Sequence, residues 1–188
     1  MATTTRLTLR EFLRLPETKP AIEYDCGEVI QKPMPDAAHS VLQIFLGALM
    51  LQAVAGLHVG RVATELRCVF GPRGEQRSYV PDIVFVSRER LPAGKLVALR
   101  FLHGAPDVAV EILSRGQPNR RFNRKIEFYL AHGVRLVWII NPRTQTISVL
   151  APGREPLTLA VGDTLDGGAV LPGFSVAIAD IFAQLEEQ

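Results

Sequence analysis

The chain has 188 residues, 47% of them hydrophobic and 21% charged, with a formal net charge of +2. That length and apolar content suit one globular domain with a buried core and exclude whole-chain disorder, while so small a charge does not announce nucleic acid without local clustering. The two cysteines, Cys26 and Cys68, cannot build a disulfide framework, and the opening residues lack the basic-then-apolar order of a secretory signal, so a reducing, cytoplasmic setting is expected.

In chain order, Thr8 followed by Glu11 ahead of Phe12 and Leu13 is a capping-box pattern that opens a short helix, and Pro16 ends it. Two extended pieces between Ile22 and Ile30 flank the turn "DCGE" and form a hairpin. Pro33 and Pro35 close the second piece before a long helix that begins near Asp36. Its run "VLQIFLGALMLQAVAGL", Val41 to Leu57, falls short of the roughly 20 apolar residues of a membrane span, so no membrane association is expected. Gln43 and Gln52 point to opposite sides of that helix, which therefore has no broad polar face. It is expected to be covered nearly all round as a core helix, or in part by a second copy in a homodimer.

Strands follow over Arg61–Phe70, Val80–Val86 and Asp107–Leu113, then a helix over Asn119–His132 and a strand over Leu136–Ile140. The turn "NPRTQ" leads into a strand over Thr146–Leu150, and the remainder alternates short strands with glycine turns before a last short helix. Strands mixed with a few helices predict a mixed central sheet flanked by helices, with additional β-hairpins.

In "SYVPDIVFV" strand alternation puts Asp82, Val84 and Val86 on one face and Ile83 and Phe85 on the other. In "PDVAVEIL" it groups Glu111 with Ala109 and Leu113. An ionised carboxylate among apolar neighbours is costly unless it is paired or holds a metal. Asp82 and Glu111 therefore each have a basic partner or together hold a divalent ion, which for all-oxygen ligands is Mg²⁺ or Mn²⁺. Asp107 lies about 13 Å along the strand from Glu111, too far to share that ion, and is given a structural role.

The helix "NRRFNRKIEFYLAH" has an apolar stripe of Phe122, Ile126, Tyr129 and Leu130. Lys125 sits about 40° from Tyr129 and about 60° from Phe122, at the border of that stripe, either snorkelling outward or reaching inward. Arg115, Arg120, Arg121 and Arg124 surround the helix start, where backbone N–H groups also favour anions, and they predict phosphate contacts. His103, His132, Trp138 and Tyr129 read as helix-end or core residues, and Cys26 is too isolated to serve as a nucleophile.

These pieces, in the order "LTLREFLRLPE", "GEVIQKPMP", "HSVLQIFLGALM", "YVPDIVFV", "GAPDVAVEILS" and "KIEFYLAHGVRLVWIINP" from Leu7 to Ile147, resemble the PD-(D/E)XK nuclease superfamily and, within it, the Uma2 family. The resemblance implies one restriction-endonuclease-like domain of the α/β (α+β) class over residues 1–188. It implies Asp82 and Glu111 as metal ligands aided by the carbonyl of Ile112, and Lys125, moved from the strand to the following helix, as the third catalytic residue. Glu28 and His39 match accessory positions, although Glu28 also reads as a turn-strand carboxylate and His39 as the opening of the long helix. The sequence departs from the family pattern at "SRGQ" after the glutamate strand and at Arg121, where an acid is usual.

The expected function is a Mg²⁺-dependent (or Mn²⁺-dependent) endonuclease hydrolysing phosphodiester bonds in DNA. The alternative is a catalytically inactive nuclease-fold module that binds nucleic acid or mediates assembly, and a third reading makes Asp82, Glu111 and Lys125 a buried ion network.

Overall fold

The computed structural model describes residues 6–91, 99–114 and 120–186. The chain opens with α1 (Leu9–Phe12), capped at Thr8 by the expected reciprocal box with Glu11. The hairpin β1 (Ile22–Asp25) and β2 (Glu28–Gln31) follows, then α2 (Ala37–Val54), whose Asp36 side chain accepts the His39 amide as N-cap. Strands β3 (Gly60–Thr64), β4 (Cys68–Phe70), β5 (Arg77–Tyr79), β6 (Ile83–Ser87), β7 (Leu102–His103) and β8 (Val108–Ile112) precede α3 (Arg120–Ala131). The chain then runs through β9 (Leu136–Asn141), β10 (Thr146–Leu150), β11 (Leu157–Leu159), β12 (Thr164–Asp166) and β13 (Ser175–Ala177) to α4 (Ile178–Phe182).

A six-stranded sheet has the order β11-β10-β9-β8-β6-β3, and a five-stranded sheet the order β2-β1-β5-β4-β7. Among the described residues only β8 with β9 and β4 with β7 run parallel, and α3 supplies the crossover that a parallel β8–β9 pair requires. The fold class is thus the mixed one expected, built on two large sheets rather than one, with β12 and β13 pairing as a separate two-stranded hairpin.

The stretch Arg61–Phe70, expected to be one strand, is two. At Glu65 the backbone turns through a positive φ of 51°, so β3 stays in the six-stranded sheet and β4 starts in the other. The chain returns between β5 and β6, through Val80, Pro81 and Asp82. Pro81 has no N–H to give a ladder, so the strand proper starts after it.

Each face of the six-stranded sheet has its own core. Ile83, Phe85, Val108, Val110, Trp138 and Ile140 pack with Leu42, Leu46 and Met50 of α2 and with α4. On the other face Val84, Val86, Ala109 and Val137 pack with Phe122, Ile126 and Tyr129 of α3 and with Cys68, Phe70 and Tyr79 of the second sheet.

Helix α2 corrects one expectation. It buries the single stripe His39, Leu42, Leu46, Met50 and Val54, and its opposite side is open, with Ile44 70% and Leu51 56% exposed. It is a one-sided cover on the sheet and not enclosed all round. By length and composition α2 is also apolar enough to cross a membrane.

Candidate active site

The second core does not close at the end where the chain changes sheets. The antiparallel register Ile83↔Val110, continued by one residue, places Asp82 opposite Glu111, and the Asp82 amide donates to the Val110 carbonyl at 3.1 Å. Both side chains are on the face shared with Val84 and Ala109, as alternation requires. From α3, Lys125 points inward between them and the second sheet, and it is 6% exposed. Inward reach, not snorkelling, is therefore its conformation, and Asp82, Glu111 and Lys125 gather in one pit.

Every charge there is answered by another. Lys125 Nζ is 2.8 Å from Glu111 Oε1 and 2.8 Å from Glu23 Oε1. Tyr129 donates its hydroxyl to the same Glu111 oxygen at 2.8 Å, and Val80 donates its amide to Glu23 at 2.9 Å. Asp82 Oδ1 accepts from Lys32 Nζ at 2.7 Å, Asp82 Oδ2 accepts from the Ile112 amide at 2.7 Å, and His39 Nε2 is 3.1 Å from Oδ2. Gln43 on α2 donates to the Asp82 carbonyl at 2.9 Å.

The electrostatics follow from burial and partners. Burial alone would raise the Asp82 carboxyl, but Lys32 and His39 outweigh it and, with the Ile112 amide, hold it well below the usual carboxylate range. Burial pushes the Glu111 carboxyl up; Lys125 opposes the rise and the Asp82 charge adds to it. Burial also disfavours the Lys125 ammonium, yet Glu111 and Glu23 more than compensate and raise its pKa. Tyr129, pushed well up by burial and then by Glu111, remains a hydroxyl donor.

Glu23, Lys32 and Tyr129 were not singled out from the sequence as site residues. Glu23 sits in β1 between Ile22 and Tyr24, a carboxylate in an apolar strand of the very kind that marked Glu111, so that signal was present. Lys32 carried none: it lies 50 positions from Asp82 and meets it only because two sheets converge.

The accessory and basic residues divide. His39 joins the pit through Asp82 while also forming the first turn of α2 beside its cap. Glu28 does not join; its Oε2 pairs with Arg121 at 3.0 Å on a half-exposed rim, for although the register puts it on the same face of the hairpin as Glu23, it stands at the turn end, opposite Asp25. Arg120 and Arg124 are exposed on α3. Arg115 lies outside the described residues. Asp107 is at the far end of β8 from Glu111, accepting the Ser87 amide at 2.7 Å and pairing with Arg90 and Arg135, both at 3.3 Å, which is the structural role expected.

The pit opens into a cavity of about 940 Å³, lined among others by Lys32, Met34, His39, Arg67, Arg121 and Phe122. Its donors suit a hard cation in type: two carboxylates and backbone carbonyls. Among the described residues no group of three or more His, Cys, Asp and Glu forms a full ligand cage. Magnesium, which keeps several waters and takes one or two carboxylates, fits such a partial shell.

The chain matches the Uma2 family, described as "Putative restriction endonuclease", over residues 9–179. It is also similar to a crystal structure from Anabaena variabilis ATCC 29413 described as "a putative nuclease belonging to DUF820". The two share 34% identity with a TM-score of 0.86, over 96% of this chain and 99% of that one. No curated protein matches.

Proposed function

The chain belongs to the Uma2 family, and from that premise and the geometry of the pit we propose that it is a divalent-metal-dependent endonuclease that hydrolyses phosphodiester bonds in DNA. One observation carries the reading: Asp82 and Glu111, opposite one another at the ends of adjacent strands, line with the buried ammonium of Lys125 the same cavity of about 940 Å³.

Asp82, Glu111 and the Ile112 carbonyl would hold Mg²⁺ or Mn²⁺. Bound there, the ion would polarise the phosphodiester and ease deprotonation of a water. The chain's own residues do the rest. His39 and the Ile112 amide fix the Asp82 carboxylate, and Tyr129 fixes Glu111. Lys125, steadied by Glu23, keeps a full positive charge within reach of a phosphoryl oxygen, where charge develops as the attack proceeds. Arg120, Arg121 and Arg124 at the start of α3 offer phosphate contacts beside the opening.

The reading is tested with purified protein, plasmid DNA and Mg²⁺ or Mn²⁺. The unaltered chain should nick the DNA, EDTA should stop it, and Asp82→Ala and Lys125→Ala should each lower the rate by at least about 100-fold. Cutting unchanged in both variants would show that the assignment is wrong. The alternative, a nuclease-fold module that binds nucleic acid without cutting, is favoured by the protein's own cations already neutralising both metal-facing carboxylates. It predicts salt-sensitive DNA binding with no turnover in either metal.

A further inference from the structure

The two oxygens of Asp82 are used differently. Oδ2 takes the Ile112 amide at 2.7 Å with His39 Nε2 at 3.1 Å, which fills both its lone-pair directions. Oδ1 faces Lys32 Nζ at 2.7 Å, and the same ammonium is anchored by the Val80 carbonyl at 2.7 Å. A cation approaching Asp82 therefore meets a cation of the chain's own at the one oxygen left to it.

We infer that Lys32 is a displaceable occupant of the cation position at Asp82, so that a divalent ion binds by driving the Lys32 ammonium out. The inference rests on the metal-dependent reading above. Of the two lysines in the pit, half-buried Lys32 is the one able to leave. Lys125 is gripped by two carboxylates from within a helix. Lys32 directly follows the edge strand β2 and lines the cavity into which its flexible stem can swing. The charges agree. Glu23, Asp82 and Glu111 face two ammoniums, and exchanging the single charge of Lys32 for the double charge of the ion balances the three carboxylates. The device leaves the metal-free pit with a single unbalanced negative charge and sets a threshold on the metal concentration at which it loads.

The test is Mn²⁺ binding by calorimetry on the full chain and on its Lys32→Met variant, whose side chain is unbranched and uncharged and one atom shorter. The variant should bind Mn²⁺ at least about tenfold more tightly than the unaltered protein, a factor equivalent to about 1.4 kcal/mol, and adding Asp82→Asn should abolish the binding. Equal affinity with and without Lys32, still lost in Asp82→Asn, would overturn the occupant role and leave the metal-dependent reading standing. No Mn²⁺ binding by any of these proteins would overturn both. Lys32→Met leaves a buried carboxylate behind, so a second measurement uses the unaltered chain. Acylation by an N-hydroxysuccinimide acetate, read by peptide mass, should rise several-fold at Lys32 on adding saturating Mg²⁺, relative to the exposed Lys19. Labelling of Lys32 that stays constant would equally overturn the inference.

Discussion

Three carboxylates buried in one pit, Glu23, Asp82 and Glu111, would be ruinous for the fold if they were unpaired. Lys32, Lys125, Tyr129 and backbone amides make them tolerable, and the pairing has a measurable consequence. Asp82 titrates lower in the folded chain than in the unfolded one, so the unfolded state takes up its proton first as the solution is acidified. The stability that Asp82 contributes is therefore present above about pH 4 and is lost as pH falls below it. Asp82→Asn leaves the Lys32 ammonium without its carboxylate and should destabilise the metal-free protein by roughly 3 kcal/mol at pH 7. Urea unfolding at pH 3 should show that gap narrowed by about 1 kcal/mol; an unchanged gap would mean that folding does not lower the Asp82 pKa. The signal for these residues was uneven. A carboxylate inside an apolar strand was legible at Glu111 and Asp82, whereas Lys32 looks like any lysine next to a proline until its partner is known.

At the scale of elements, the pit exists because the chain changes sheets twice at nearly one place, at Glu65 between β3 and β4 and at Pro81–Asp82 between β5 and β6. The two crossings are tied by the Glu65 amide, which donates to the Asp82 carbonyl at 3.2 Å. Short apolar runs such as Cys68–Phe70 carry no mark of the sheet to which they belong, so the first crossing was read as one continuous strand. The edge of this arrangement is closely packed. A Cβ on Gly60 would meet the Val86 carbonyl and would stand 2.5 Å from the Phe85 ring, and backbone cannot yield as a side-chain tip can. Gly60→Ala should therefore cost about 1–3 kcal/mol, seen as a lowered midpoint of thermal unfolding. A midpoint at or above that of the unaltered chain would show that β3 shifts to accept the methyl.

For the whole molecule, net charge says little and placement says more. Arg120 and Arg124 are exposed on α3, whose buried side carries Lys125 into the pit, so one helix joins the proposed chemistry to the proposed phosphate contacts. If that surface meets DNA, replacing both arginines by serine should weaken binding evenly across sequences. It should also lower the slope of log affinity against log salt concentration by about 2. Fluorescence anisotropy over a salt series would measure it, and an unaltered slope would place the DNA elsewhere.

The linear sequence by itself determined the elements and their faces: the capping box at Thr8, the hairpin at "DCGE", the partition of Ile83 and Phe85 from Asp82 and Val84, and the family to which the motif order points. Those are local properties, set by periods of two and 3.6 residues and by turn chemistry. Tertiary structure alone decided which charges meet. Glu23 reaches Lys125, Lys32 reaches Asp82, and Glu28 is drawn to Arg121 instead of the pit, because such pairings depend on how two sheets and a helix converge. No local period encodes that convergence.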